Sequence, residues 1–543
     1  MKKSNFLEGA FIATFAIIFT KVLGIVYVIP FYALIGEQGG ALYGYSYTIY
    51  NLFLSISTVG FPLAISKLTS EYNTLKLYNE KERLYKLSKN CILIFSVICF
   101  LICFIFAPQI ANLIIGNIEN GNTIEDVSFT IRMVSFALLV VPILSITRGY
   151  LQGHKYIKEP SISQVIEQVV RVGVILGGSF LTLKVFKLSL RTTVGVAVFA
   201  SAIGAIFSYF YLVNVIHKNK KDLQVKEKTE QKISNREIIK KIIAYSIPFI
   251  IISCANQIYN STDMVLMLRT LSNFGYSGSA VETISSVFTT WGTKFNAIII
   301  AIANGLIISL IPNIVNLYVK KDYDGVNETV NKCLKIILLI NTPIAIFLSI
   351  NSLSLWTIFY GPNEYGPLII KWNILLTILD SLYLVVNSLL QSLSKYKILF
   401  ISVVSGILVN LGLDIPFMCL FNFLGLEAFY GAIFATFIGL MTSIIISFIY
   451  LKKELNFNFK NTIKILPKSL FNIIIIVVID LVLSLVLPIN STSRLIQVIN
   501  ILLLAIITIP LYFIFNKKYL KDILPEKIFR ILNKIKLIKK SVQ

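Results

Sequence analysis

Apolar stretches about as long as a bilayer-spanning helix recur from one end of the chain to the other. A transmembrane helix needs about 20 predominantly apolar residues. Short polar connections separate the stretches, which is typical of a polytopic helical membrane protein. The pattern predicts fourteen spans, near positions 11–35, 41–66, 91–115, 128–151, 162–183, 193–216, 242–267, 288–312, 332–353, 368–393, 398–424, 427–451, 469–488 and 496–515.

The longest polar insertion divides the first twelve predicted spans into two sets of six. It runs from Lys218 to Lys241, is rich in Lys, Glu and Gln, and is nearly free of aromatic residues, which is typical of a solvated linker. The predicted organisation is an N-lobe, a cytoplasmic linker, a C-lobe, two further spans and a basic tail, at residues 1–217, 218–241, 242–453, 454–516 and 517–543.

Weak internal similarity indicates that the two sets of six spans are repeats. Residues 148–152 (RGYLQ) close span four, and residues 387–391 (NSLLQ) close span ten, each followed after a few residues by Lys-Tyr. Pro62 and Pro312 lie at matching positions in spans two and eight. An even number of spans in each half predicts parallel repeats about an axis along the membrane normal. Chance similarity between apolar helices is the alternative.

The charge distribution predicts the orientation of the chain. Only 14% of the residues are charged and 56% are hydrophobic, yet the net charge is +23. Most Lys and Arg residues fall in alternate connections and in the two termini, including the 67–89 and 218–241 connections. Positive connections stay in the cytoplasm, so both termini are predicted to be cytoplasmic. The basicity therefore reflects topology and gives no support to a nucleic-acid partner.

Residues suited to catalysis or metal binding are scarce. The six cysteines lie in or beside apolar segments, and His154 and His217 are the only histidines, both at predicted cytoplasmic helix ends. There is no Walker A loop, no G-x-S-x-G motif and no acidic cluster for a magnesium-bound diphosphate. The sequence therefore favours transport over catalysis and predicts no metal site and no cofactor.

Two cations in predicted spans are candidates for binding an anionic substrate. A charge at the bilayer centre costs about 2.5–3.5 kcal/mol, so each one requires a partner or an aqueous cavity. Lys21 in span one and Lys294 in span eight have no acid within one helical turn. Both suit a cavity that holds a phosphate or pyrophosphate group. Asp263 in span seven either pairs with one of them or binds a coupling cation, and it is counted with the substrate site.

The other membrane charges have more ordinary explanations. Glu167 and Arg171 stand four residues apart in span five, and the spacing predicts a structural ion pair on one helix face. Arg132 and Arg148 lie near opposite ends of span four, from where each side chain can extend to an interface. Arg148 remains a candidate for substrate binding as well.

The basic tail has an apolar stripe. Its members are spaced for one face of a helix among many lysines, which predicts either a helix on the anionic inner leaflet or a loosely attached tail. They are Ile528, Ile531, Leu532, Ile535 and Ile538.

Several motifs resemble a known transporter family. They are GGALYGY at 39–45, GFPLAISK at 60–67, IRMVSFALLVVP at 131–142, RGYLQGH at 148–154 and QVIEQVVR at 164–171. Together they resemble the polysaccharide biosynthesis/SpoVB branch of the multidrug/oligosaccharidyl-lipid/polysaccharide exporter superfamily. Within that branch the chain is most similar to the MurJ lipid II flippases of Gram-positive bacteria.

The resemblance implies a fold and a cargo. The implied fold has two six-helix lobes around a central cavity, plus two C-terminal helices that form a lipid-facing groove. The implied activity is movement of an undecaprenyl-pyrophosphate-linked precursor across the cytoplasmic membrane by alternating access, coupled to membrane potential or to an ion gradient. The resemblance places Lys21 and Lys294 on the pyrophosphate, where relatives more often carry arginine, and offers Glu37 as the acid of the first outer loop.

Two alternatives to a lipid II flippase follow from the sequence: the first keeps the transporter class and the second is an enzyme. A sporulation- or capsule-specific flippase or a drug/cation antiporter would share the fold, although an antiporter predicts acids rather than lysines in the cavity. An enzyme of lipid-linked sugar metabolism would require a catalytic cluster, which the sequence lacks. The predicted partners are a lipid-linked sugar and membrane lipids, with a monomeric protein that associates with the cell-wall synthesis machinery.

Overall fold

The fold is helical throughout the part of the chain that the structure describes. The computed structural model describes residues 16, 19–58, 60–116, 121–154, 156, 158–223, 233–454, 457–488 and 491–521, and no strand occurs among them. Eleven helices within these residues are long and apolar enough to cross a membrane. The predicted all-α membrane fold is confirmed.

Contacts along the chain divide it into two compact units, residues 1–291 and 292–543. In unit 1, a helical segment at 19–26 precedes the first numbered helix. The helices of unit 1 are α1 (Val28–Thr58), α2 (Gly60–Thr74), α3 (Tyr78–Ile105), α4 (Ala107–Ile115), α5 (Ile124–Gly153), α6 (Lys158–Phe180), α7 (Leu190–Lys218), α8 (Lys220–Leu223), α9 (Asn235–Asn273) and α10 (Gly278–Ser286).

Unit 2 contains the remaining helices. Its last helix ends at Leu520, so the predicted apolar stripe of the tail lies outside the described residues. The helices of unit 2 are α11 (Thr293–Val319), α12 (Tyr323–Ile336), α13 (Thr342–Ile350), α14 (Ser352–Tyr360), α15 (Tyr365–Ser392), α16 (Tyr396–Phe423), α17 (Phe429–Glu454), α18 (Lys460–Ile463), α19 (Leu466–Ser484) and α20 (Arg494–Leu520).

Each predicted span overlaps helical residues, although several helices extend beyond the apolar stretch that predicted them. The 67–89 connection is an example, because α2 continues to Thr74 and α3 already begins at Tyr78. Span three is interrupted at Phe106, directly before Ala107 and Pro108. Proline lacks a backbone donor and cannot continue the preceding helix, which explains why α3 ends there and α4 begins.

A single glycine separates the first two predicted spans. Gly36 has φ 62° and ψ −159° within α1, so the regular helix is interrupted by a kink at this residue. Glycine adopts positive φ without the steric cost that a Cβ imposes. The short first outer loop that the sequence predicts is therefore centred on Gly36.

Polar caps fix where α5 and α9 begin. Thr123 and Asp126 form a reciprocal capping box at the start of α5, and Ser234 and Glu237 form one at the start of α9. Each box satisfies backbone donors that the first helical turn leaves unpaired. The helices therefore start at the polar edges of the apolar segments.

The units divide at a different position from the predicted lobes. The predicted boundary lies in the 218–241 linker, whereas the compact units divide between Trp291 and Gly292. The reason is that α9 packs on α1 and α2, and α10 packs on α1. The organisation into two six-span lobes remains a prediction.

Small residues allow α1 to approach the π-helical turn Val287–Trp291 closely. A Cβ added at Gly40 would overlap the Trp291 indole, and one added at Gly44 would overlap the Thr289 hydroxyl. The Thr290 hydroxyl also donates to the Gly40 carbonyl at 2.9 Å. Small residues are favoured where membrane helices pack backbone to backbone. Two further π turns occur at Leu181–Val185 and Ile337–Asn341.

Candidate functional site

The interior of unit 1 contains an ion pair between two helices. Arg148 of α5 places its Nη2 atom 2.7 Å from Oε2 of Glu167 in α6, with side-chain exposures of 13% and 20%. The same guanidinium donates to the Ser163 hydroxyl at 2.8 Å and to the Ser208 hydroxyl at 3.0 Å. Ser208 lies in α7, so the network joins three helices around one cation.

This network corrects one sequence prediction and gives another predicted residue its partners. Glu167 pairs with Arg148 and not, as predicted, with Arg171 on its own helix. The guanidinium of Arg148 binds a carboxylate and two serine hydroxyls inside the unit. A guanidinium that reaches across from α5 makes three bonds here, and bonds to charged groups are about twice as strong as neutral ones.

Arg171 lies instead beside a set of tyrosines. Tyr27, Tyr43 and Tyr47, which lie within range of its charge, form what we call the tyrosine cluster. Tyr43 and Tyr47 are stacked with ring centroids 4.4 Å apart, and the Tyr47 hydroxyl bonds Ser201 of α7. The Nε atom of Arg171 is buried and has no hydrogen-bond partner among the described residues.

The two other predicted site residues of unit 1 lie on different helices. Lys21 is exposed in the helical segment 19–26. That segment passes beside α6 at Gly24, where an added Cβ would lie 3.6 Å from Nε2 of Gln168. Asp263 is half-buried in α9.

Lys294 belongs to unit 2. It is the second residue of α11, directly after the division between the units, and it is half-buried. Lys294 and Asp263 both take part in side-chain interactions within the structure.

Glu37, the candidate acid of the first outer loop, bonds side chains of its own unit. It accepts a hydrogen bond from the Tyr32 hydroxyl at 3.2 Å and another from Thr283 of α10. Close by in sequence, Glu282 accepts a bond from the backbone N–H of Asn122. These two acids hold α10 against neighbouring segments of unit 1, so their contacts stabilise the packing of the unit.

An apolar groove of about 400 Å³ lies in unit 2, which we call the α13–α20 groove. Its lining includes Ile344 and Phe347 of α13, and Ile509 and Phe513 of α20. Tyr512 closes part of one wall, with its hydroxyl donating to the Leu339 carbonyl at 3.0 Å. The resemblance implied a groove between the last two spans, whereas this groove combines the last span with the ninth.

The described residues contain no group of three or more His, Cys, Asp or Glu side chains that could hold a metal ion. The six cysteines are free thiols.

Two features of the site were not predicted from the sequence. Tyr43, Tyr47 and Tyr50 are spaced i, i+4 and i+7 on one helix face, a pattern that could have indicated two of the three members of the tyrosine cluster, Tyr43 and Tyr47. The α13–α20 groove joins residues about 165 positions apart, such as Ile344 and Ile509, and no local pattern reports such a pairing.

The helical fold and its interior charges define a multi-pass membrane transporter. The family model for the polysaccharide biosynthesis protein matches residues 6–279, and the MatE model matches residues 248–415. The chain belongs to the polysaccharide biosynthesis protein family of membrane transporters.

Two relatives from Bacillus subtilis extend this result. The lipid II flippase MurJ is 33% identical over 469 residues, which cover 85% of each chain. The stage V sporulation protein B is 26% identical over 249 residues, 46% of each chain. These relatives are not catalytic enzymes, in agreement with the prediction of transport.

Solved structures agree on the fold. A lipid II flippase MurJ in an inward closed conformation matches with a TM-score of 0.67 and 18% identity, covering 94% of this chain and 99% of that one. A multidrug MATE transporter in an inward-facing conformation matches with a TM-score of 0.63 and 15% identity, covering 80% and 94%.

Proposed function

We propose that this protein is a flippase for lipid II, the undecaprenyl-pyrophosphate-linked peptidoglycan precursor, and that it works by alternating access. The observation that carries the proposal is the 33% identity with a lipid II flippase over 85% of both chains. The cargo is a lipid with an anionic headgroup, so the protein must offer an apolar surface for the tail and cations for the pyrophosphate.

The α13–α20 groove suits the tail. Its lining is almost entirely aliphatic and aromatic, and its volume of about 400 Å³ accommodates several isoprene units. Each buried methylene contributes about 0.8 kcal/mol, so the part of a polyprenyl chain that lies in the groove gains affinity with each unit it buries.

Lys21 and Lys294 are the proposed ligands of the pyrophosphate. Lysine presents a compact charge with three donors, without the planar fork of arginine, so it constrains phosphate geometry less. Asp263 is proposed to balance or release these cations during the cycle. We assign Arg148 to the structural ion pair with Glu167 and no longer to the cargo, because its guanidinium already has three partners.

The proposed setting is the cytoplasmic membrane. Both termini are placed in the cytoplasm on the strength of the positive connections. The protein is proposed to act as a monomer, in association with the cell-wall synthesis machinery, and to take its energy from membrane potential or from an ion gradient.

Complementation tests the proposal. The chain is expressed in a Gram-positive strain whose own lipid II flippases can be shut off, with membrane insertion checked by immunoblot. Growth after shut-off is the expected result. Confirmed insertion without growth would contradict a lipid II cargo. It would favour the second candidate cargo, a sporulation or capsule precursor. The match to the stage V sporulation protein B supports that candidate.

Blocking the groove gives a separate prediction. Ile509→Trp places a bulky ring among the groove residues, and we expect roughly tenfold weaker binding of undecaprenyl phosphate, since displacing two methylene-sized groups costs about 1.6 kcal/mol. Binding is measured on the purified chain by native mass spectrometry. Ile506→Trp is the matched control, because Ile506 lies on the same helix, is 67% exposed against 57% for Ile509, and does not line the groove. Equal binding by both variants would exclude the groove as the tail site.

A further inference from the structure

A cavity of about 400 Å³ lies within unit 1, between the beginning of α3 and the end of α7, and we call it the lysine cavity. Three of its lining residues are lysines: Lys86 and Lys89 of α3 and Lys220 of α8. One acid, Glu82, also lines it, so the lining carries a surplus of two positive charges. The charge of the lining therefore favours an anionic ligand.

The lysines of this cavity keep hydrogen-bond donors for a ligand. Nζ of Lys89 donates to the Tyr209 hydroxyl of α7 at 2.6 Å, and an ammonium group has three donors in total. Lys86 and Lys220 are exposed, and none of the three lysines forms an ion pair with a described residue. Phosphate oxygens are acceptors that lysine binds as a point charge.

One wall of the lysine cavity is held in place by aromatic packing. Tyr85 of α3 and Tyr150 of α5 are stacked with ring centroids 4.2 Å apart, and both line the cavity. The Tyr85 hydroxyl is also 3.3 Å from the Thr147 hydroxyl of α5. These contacts fix α3 against α5, so a ligand does not have to order this wall when it binds.

An exposed apolar surface begins directly beside the lysine cavity. Helix α3 has no charged residue from position 91 to its end at 105, and Ile94, one helical turn beyond the lining residue Asn90, is 63% exposed. On α7, Val213 and Phe210 precede the lining residue Ile216 at three-residue spacing and are also exposed. In a multi-pass membrane protein such side chains contact acyl chains. The cavity therefore lies at the depth where lipid headgroups meet the hydrocarbon.

We propose that the lysine cavity binds the phosphate of an anionic phospholipid, of the chemistry of phosphatidylglycerol, with Lys86, Lys89 and Lys220 at the phosphate. The acyl chains lie on the exposed faces of α3 and α7. Basic pockets between membrane helices suit lipid headgroups of this kind. The adjoining apolar surface favours a lipid over a soluble phosphate ester, and the surplus of positive charge disfavours a choline headgroup. The site is separate from the proposed cargo ligands and does not depend on the identity of the cargo.

The test uses the purified, delipidated full-length chain in detergent. Dioleoyl phosphatidylglycerol or dioleoyl phosphatidylcholine is titrated, and bound lipids are counted by native mass spectrometry. The parent is expected to bind the first phosphatidylglycerol at least tenfold more tightly than phosphatidylcholine. Each lysine near an anionic headgroup contributes about fivefold, so Lys86→Gln and Lys220→Gln should each lose part of this preference and the double variant most of it.

The matched control removes the same charge outside the cavity. Lys218 and Lys240 are exposed and do not line it, so the double variant Lys218→Gln/Lys240→Gln is expected to keep the parent's preference. Equal binding of the two lipids by the parent would overturn the proposal, as would an equal loss of preference in the two double variants. Glycerol 3-phosphate is added as a soluble competitor. Displacement of phosphatidylglycerol at equal concentration would assign the cavity to soluble phosphate esters and overturn the lipid.

Discussion

Chains that carry Lys21→Ala or Lys294→Ala are expected to insert at the parent's level and to fail in complementation. Each substitution removes a cation from the proposed pyrophosphate site, and a charge-assisted hydrogen bond lost from such a site lowers affinity by roughly tenfold or more. The double variant should show no transport. The measurement is growth after shut-off of the host flippases, normalised to the amount of protein in the membrane.

Charge-preserving variants separate the site from the fold. Lys21→Arg and Lys294→Arg keep the cation and are expected to support growth, because arginine also donates charged hydrogen bonds to phosphate oxygens. Lys184→Ala removes an exposed lysine beyond the end of α6 and serves as the control for loss of one positive charge. Full activity of both alanine variants would eliminate the idea that these lysines hold the pyrophosphate.

Glu167→Gln is expected to reduce the amount of folded protein more than its specific activity. The substitution leaves Arg148 in the interior of unit 1 without its carboxylate. Breaking a buried ion pair costs about 3–5 kcal/mol, and side-chain exposures of 13% and 20% place this pair near the lower end. The measurement is the yield of monodisperse protein in detergent, together with its melting temperature.

Glu125→Gln is the matched control for Glu167→Gln. Glu125 pairs with Arg191 at 3.5 Å, and the two side chains are 87% and 40% exposed. An exposed pair contributes about 0–1 kcal/mol, so this variant should behave like the parent. Normal yield of Glu167→Gln with lost transport would instead make Glu167 a functional residue.

The spans could be predicted from the sequence because hydropathy alone determines which segments enter the bilayer. Predicted span four at 128–151 corresponds to α5, Ile124–Gly153, and the predicted eleventh span at 398–424 corresponds to α16, Tyr396–Phe423. The helix ends differ by a few residues, because caps such as Thr123 begin a helix in the polar region outside the apolar stretch.

Partners across helices could not be predicted in the same way. The spacing of Glu167 and Arg171 is compatible with a pair on one helix, but Arg148 arrives from α5 and makes the stronger set of bonds. Spacing along one helix gives no information about which neighbouring helix faces it. The same limit applies to the α13–α20 groove. The repeated tyrosines of α1 form a pattern in the sequence, but that pattern does not indicate that they lie near Arg171.

The position of the unit boundary has a consequence for biogenesis. Unit 1 includes α9, which begins at Asn235 inside the long polar linker, and also α10 and the π turn that ends at Trp291, which follow the linker in the chain. During synthesis the first six spans leave the ribosome well before these elements. Until the elements are made, the apolar faces of α1 and α2 that they cover contact lipid or the insertion machinery. The first unit can complete its packing only after the ribosome has passed the midpoint of the messenger RNA's coding sequence.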